Sequence, residues 1–129
     1  MYNLIVSDDL RIKDIKVVIW DLDNTFWEGI LTEGGVTPIE KNIELVKRLC
    51  SKGVMNSICS KNDYDTCKKL LQQYGIWDYF VFSSIDWTGK GIRVCQIIND
   101  MSFRAENCLF IDDDNKNLHA VLDLNKNVK

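Results

Sequence analysis

Four short apolar runs punctuate the chain, at Lys16–Trp20, Val54–Cys59, Tyr79–Ser83 and Cys108–Ile111, and helical patterns follow them. Strands alternating with helices in this way predict βαβ units and a parallel sheet. Between the first two runs, Thr37-Pro38-Ile39-Glu40 reads as a capping box with proline at the first helical position. Ile39, Ile43, Val46 and Leu49 then recur at helical spacing, with Gly53 as the stop signal. A second helix is predicted from about Asp63 to Tyr74, with Tyr64, Cys67, Leu70, Leu71 and Tyr74 inward and Gly75 beyond its end. A third spans about Gly91 to Met101 with Ile92, Cys95, Ile97 and Ile98 as its packing face, and a fourth runs from about Lys116 to Leu124.

Two segments break the alternation. The stretch from Trp27 to Val36 carries glycines at 29, 34 and 35, which predicts a β-hairpin flap directly after the first strand. Asn56 and Ser57 interrupt the second strand, where a central parallel strand should be almost wholly apolar. Tyr2 to Ser7 is expected to form a short edge strand. No clear fifth strand follows the last helix, so the sheet is expected to be small or completed by the N-terminus or another subunit. The expected fold is α/β and Rossmann-like, with helices on both faces of a parallel sheet, as one domain over residues 1–129.

Composition narrows the class without changing that picture. Hydrophobic residues at 46% supply a core, while a net charge of −3 and no basic run exclude a nucleic-acid footprint. The cysteine count is odd, at five, with no Cys-x-x-Cys pair, which points to neither a disulfide framework nor a zinc cluster. Met1 to Asp9 is too short and acidic for a signal peptide, and no apolar run is long enough to span a bilayer. A cytoplasmic protein is the expectation.

Polar residues cluster where the apolar runs end. Asp21 and Asp23, one residue apart after the first strand and followed by Thr25, can both face one crevice because the chain turns there. One carboxylate can then attack phosphorus while the other moves a proton. Ser60-Lys61-Asn62-Asp63, at a strand end opening into a helix, offers a hydroxyl and backbone N–H groups as an anion seat, or simply a helix cap. Lys90 stands at the start of the third helix, where its charge opposes the helix dipole and calls for a compensating partner. Asp112-Asp113-Asp114 closes the fourth strand, and two acidic clusters at adjacent strand ends would repel without a hard, oxygen-loving cation between them. Mg²⁺ fits, held by Asp21, the backbone carbonyl of Asp23, Asp113 and waters, with Asp112 as a close or alternative ligand. His119, the sole histidine, reads as a surface or packing residue, and Trp20, Trp27, Trp77 and Trp87 read mostly as packing residues, although Trp27 and Trp87 flank the motifs where they could line an entrance.

In their order along the chain, these motifs resemble the haloacid dehalogenase (HAD) superfamily of phosphoryl-transfer enzymes. Trp20-Asp21-Leu22-Asp23-Asn24-Thr25, Gly29 to Gly35, Cys59 to Asp63, Asp86-Trp87 with Lys90, and Phe110 to Asp113 are similar to the capless phosphatase subfamily that includes FkbH-like proteins and the magnesium-dependent phosphatases. The resemblance implies a Mg²⁺-dependent phosphatase with Asp21 as nucleophile and Asp23 as acid and base. It implies a phosphate seat drawn from Thr25, Ser60, Lys61, Asn62 and Lys90. Asn117 departs from it, standing where a second acid is usual. The spacing leaves no room for a cap domain, so an open site follows. The expected partner is a phosphorylated substrate, small or carrier-bound, together with self-association through Ile30, Leu31 and Val36 of the flap. Two rivals remain: an FkbH-like enzyme that dephosphorylates a phosphoglycerate-type donor and loads a carrier protein, and a metal- or phosphate-binding scaffold without turnover.

Overall fold

A computed structural model describes residues 14–129. The edge strand expected at Tyr2 to Ser7 lies outside the described residues. Four parallel strands form the central sheet: β1 (Val17–Trp20), β4 (Met55–Lys61), β5 (Ser84–Asp86) and β6 (Cys108–Ile111), in the order β5-β4-β1-β6. Because successive side chains of a strand point to opposite faces, β1 supplies two cores. Val18 and Trp20 meet α1 (Glu40–Ser51) and α2 (Tyr64–Gln73) through Ile43, Val46, Leu49, Cys67 and Leu71. Val17 and Ile19 face α3 (Lys90–Asp100) and α4 (Asn115–Leu124) through Val94, Ile97, Ile98 and Val121. The chain is therefore an α/β Rossmann-like sheet covered on both faces.

The hairpin flap forms as β2 (Trp27–Glu28) paired antiparallel with β3 (Thr37–Pro38). Thr37 and Pro38 belong to this strand, which overturns the expected capping box. Helix α1 begins at Glu40 and its N-cap position, Ile39, offers no side-chain cap. Leu31 and Val36 pack inward against the first core. No cap domain interrupts the described chain. Only this hairpin and α1 separate β1 from β4, and only α2 and a short turn separate β4 from β5.

The third strand falls later than its apolar run suggested. Trp77–Tyr79 forms a 3₁₀ turn, Phe80 makes one isolated bridge to Asn56, and Phe82 takes a left-handed backbone at φ 52°. Pairing with β4 starts only at Ser84. The expected packing face of α3 is also corrected: Ile92 is 65% exposed, and the inward positions are Lys90, Arg93, Val94, Ile97 and Ile98. On α2 the outlier is Tyr64, which is exposed.

The polar pair in β4 has a structural role. The Trp20 indole Nε1 donates to Asn56 Oδ1 at 2.9 Å, and Asn56 Nδ2 donates to the Val46 carbonyl at 3.1 Å, so one buried amide ties β1 to α1. Ser57 Oγ donates to the Phe82 carbonyl. Beyond β6, Lys129 accepts from Phe110 N and donates to the Cys108 carbonyl, which covers that edge of the sheet with backbone.

Candidate active site

Every acidic and basic side chain singled out in the sequence lies at or just past the carboxyl ends of the parallel strands, where open α/β sheets bind ligands. Asp21 follows β1 directly, and the chain then makes one wide turn over Leu22–Phe26. Asp23 is extended there and Asn24 left-handed at φ 55°, so Asp21, Asp23 and Thr25 all stay at the crevice. Asn42 of α1 secures the turn from below, its amide donating to the carbonyls of Thr25 and Phe26.

The centre of the site is a buried cluster of one cation and two anions. Lys90 Nζ lies 2.6 Å from Asp21 Oδ1 and 2.8 Å from Asp112 Oδ2, with all three side chains almost wholly enclosed. These carboxylates are the partners that its placement at a helix N-terminus demanded. Burial alone would depress the Lys90 pKa, but Asp21 and Asp112 reverse the effect and hold it above the ordinary lysine value. Burial pushes Asp21 up to about 7, with the Asp112 charge adding to it and Lys90 pulling against it. One ammonium cannot neutralise two buried carboxylates, so the fully ionised cluster carries a surplus negative charge.

Asp113 adds to that surplus from the rim. Thr25 Oγ1 lies 3.0 Å from Asp21 Oδ2 and 3.1 Å from Asp113 Oδ1, and it accepts from Asp113 N. Carboxylate oxygens of Asp21, Asp112 and Asp113 come within 4.8 Å of one another. An all-oxygen, anionic donor set of this kind fits Mg²⁺. Asp112 is the most committed of the three, with Oδ2 taking Lys90 and Asn117 Nδ2 and Oδ1 taking Asp114 N. Asn117, where a second acid was usual, thus serves as a donor that orients Asp112. Asp113 is exposed at the rim, beside Thr25 and Asp21, which leaves it the freer ligand.

Asp23 is gripped from three directions. Trp27 Nε1 and Leu31 N donate to Oδ1 at 2.9 and 3.0 Å, and Asn62 Nδ2 donates to Oδ2 at 3.0 Å. The flap therefore acts as a bracket for this carboxyl. Asn62 is buried and turned toward Asp23, its Oδ1 accepting from Asp63 N, while Asp63 caps α2 through Thr66 N. Lys61 ends β4 as an exposed residue without a hydrogen bond to the acidic cluster. Ser60 is 1% exposed, and its hydroxyl is the buried side-chain polar atom without a hydrogen-bond partner among the described residues. Such an orphan signals a ligand oxygen that would complete it.

Trp27 is fully buried, in keeping with its packing reading, and does not line an entrance. Two site residues escaped the sequence reading: Asn42, which supports the turn, and Arg93, which lies one helical turn beyond Lys90 on the same inward face. Only Arg93 left a usable trace, a second cation at i+3 on a helix face otherwise apolar. His119 is exposed on α4 and Trp87 is 61% exposed beside the Lys90 loop.

No protein-family model matches the chain, and a search of curated proteins finds no match. Solved structures do match. The N-terminal part of Bacteroides fragilis BF1531, which contains a phosphatase domain and was solved with Mg, superposes with a TM-score of 0.78 at 22% identity. That match covers 89% of this chain and 35% of the other, so the chain spans about a third of that solved chain. A 3-deoxy-D-manno-octulosonate 8-phosphate phosphatase from Moraxella catarrhalis, solved with magnesium, phosphate and the sugar acid, gives 0.67 at 20% identity over 94% of this chain and 68% of that one. The cobalt-bound deoxy-D-mannose-octulosonate 8-phosphate phosphatase from Haemophilus influenzae gives 0.69 at 21% identity over 85% and 65%. At these identities the likeness establishes the fold alone, a parallel α/β sheet covered by helices on both faces, with no cap domain among the described residues.

Proposed function

We propose that this chain is a Mg²⁺-dependent HAD-type phosphatase that hydrolyses a phosphorylated small molecule through a phosphoryl group carried on Asp21. The observation that carries the reading is the buried Asp21–Lys90–Asp112 cluster, whose surplus negative charge suits a divalent cation at the end of β1. Asp21, Asp113 and the Asp23 carbonyl would hold the ion, with Asp112 beside them. When bound, Mg²⁺ would offset charge on the nucleophile and on the phosphoryl oxygens.

In this reading Asp21 forms a bond to phosphorus as the bond to the leaving oxygen breaks, and Asp23 delivers a proton to that oxygen. Asp23 Oδ1 is occupied by two N–H donors, whereas Oδ2 receives one, so Oδ2 is the atom with room for the proton. Water then attacks phosphorus, Asp23 takes its proton, and the Asp21 carboxylate is released. Lys90 and the Ser60 hydroxyl serve the phosphoryl oxygens, with Thr25 and the backbone N–H of Lys61 as further donors, while Asn62 is spent on Asp86 O and Asp23. Phosphoryl transfer asks a protein mainly for positioning and charge stabilisation, and these side chains are suited to both.

Carrier loading would need an activated thiol, which the described cysteines do not offer. Cys59, Cys67 and Cys108 are buried, and burial pushes them to about 11, 12 and 11. Cys50 is exposed, but it sits near the start of β4, at the opposite end of the sheet from the site. The scaffold alternative leaves the intact Asp21 and Asp23 unexplained. The test is phosphate release by purified protein with Mg²⁺ from sugar phosphates, phosphoglycerates and nucleotides. Release that disappears with chelator and in Asp21→Asn supports the reading, and no release from any of the three classes counts against it.

A further inference from the structure

Arg93 is as deeply buried as Lys90, at 5% exposure each, yet its guanidinium touches no member of the acidic cluster. It spends its donors on backbone carbonyls. Nη1 reaches Ser60 O at 3.1 Å and Ser84 O at 3.0 Å, Nη2 reaches Asp86 O at 3.3 Å and Thr88 O at 2.7 Å, and Nε reaches Gly89 O at 3.4 Å. Nη1 also lies 3.2 Å from Ser84 Oγ, and Nε pairs with Asp86 Oδ1 at 3.4 Å. One rigid fork thus ties the ends of β4 and β5 to the loop that enters α3. A lysine could not do this, because its ammonium has three donors around a single point.

The acceptors have a common address. Asp86, Thr88 and Gly89 form the segment that delivers Lys90, and Ser60 carries the unpaired hydroxyl. The Ser60 carbonyl points to Arg93 on the β5 side, so the N–H of Lys61, across the same trans peptide, lies on the β1 side, where Asp21 stands. Asp86 O, held by Arg93, also accepts from Asn62 N, and Asn62 holds Asp23. The guanidinium therefore sits behind three of the groups that would meet the phosphoryl oxygens and the leaving group.

We propose that Arg93 is a positioning residue for the phosphoryl-transfer reaction, bracing the 84–89 segment against the end of β4 so that Lys90 is delivered to Asp21. The proposal rests on the phosphatase reading and adds to it a residue whose work is done through Lys90. A purely structural arginine would cost stability, and any loss of activity would be the same whether or not Lys90 was present.

A double-mutant cycle separates the two. Arg93→Lys should lower kcat by about 100-fold, the scale expected when a catalytic group shifts by an ångström, with little change in KM. In a Lys90→Met background the same substitution should cost no more than about twofold. An equal loss in both backgrounds, or no loss in either, overturns the proposal. If the wild-type protein hydrolyses nothing, the phosphatase reading fails and the positioning claim is read instead by NMR on ¹⁵N-lysine-labelled protein. The Lys90 ammonium resonance, assigned by its absence in Lys90→Met, should be protected from exchange in wild type and lose that protection in folded Arg93→Gln. Retained protection overturns the proposal, as does failure of both Arg93 variants to fold, which would make the residue a stability determinant.

Discussion

Asp21, the nucleophile of the proposed reaction, also carries a cost to the fold. Its folded pKa of about 7 stands above the ordinary 3.8, so between those values the native state binds more protons than the unfolded chain. Stability from this group is fully present below about pH 4 and lost as pH rises through about 7. The lowered carboxyls Asp63 and Asp86 act in the opposite sense, but their window lies below pH 4. The metal-free protein should therefore melt at a lower temperature at pH 8 than at pH 5. Asp21→Asn should remove most of that slope and leave Lys90 in a one-to-one pair with Asp112. Scanning calorimetry across pH 5–8 on both proteins checks this, and a wild-type melting temperature that rises over the window would contradict it. The residues of this cluster were legible in the sequence because acids, a serine and a lysine interrupt an apolar pattern where strands end. The roles of Asn42 and Arg93 were not, because most of their partners are backbone carbonyls whose positions depend on how the chain turns.

At the scale of elements, buried polar and small residues set how the layers meet. Asn56 was an anomaly in β4 because strand patterning concerns faces and says nothing about an indole on β1 that needs an acceptor. Asn56→Ala removes the acceptor that Trp20 Nε1 meets at 2.9 Å and a donor from the Val46 carbonyl. At roughly 0.5–1.5 kcal/mol for each of the two lost hydrogen bonds, urea unfolding should show a loss of about 1–3 kcal/mol with an unchanged m-value. Gly91 sets the approach of α3 to α4, since a Cβ there would stand 2.9 Å from the Ala120 carbonyl. Gly91→Ala should push α4 outward and lower the melting temperature, and it should reduce activity because Lys90 is the preceding residue. The helices themselves were legible from apolar periodicity. The start of α1 was not, because Thr37-Pro38 carries a helix-entry pattern but pairs instead with Trp27–Glu28 as the returning strand of the flap. Nor was the true third strand, whose apolar prelude is diverted into a 3₁₀ turn and a left-handed Phe82.

For the whole molecule, a four-stranded parallel sheet gathers residues from 21 to 113 at one edge, and that convergence follows from strand order alone. The α/β class and the open, capless site were readable from the spacing between motifs. Closure of the β6 edge by Lys129 was not, because two backbone bonds leave no apolar pattern. In the proposed reading, the surplus of negative charge at the carboxyl ends of the strands would make cation binding a property of the folded chain. Mg²⁺ should raise the melting temperature, by the equivalent of about 2.7 kcal/mol at a hundredfold excess over its Kd, and more at pH 8 than at pH 5 because protons compete for Asp21. Asp113→Ala should abolish most of that gain.

The central claim, that Asp21 carries the phosphoryl group, is tested most directly by acid-quenching protein incubated with Mg²⁺ and acetyl phosphate and mapping the adduct by mass spectrometry. A phosphoryl group on the peptide containing Asp21, absent with chelator and absent in Asp21→Asn, is the predicted result. Mg²⁺-dependent phosphate release that persists in Asp21→Asn, or an adduct on any other residue, would contradict it.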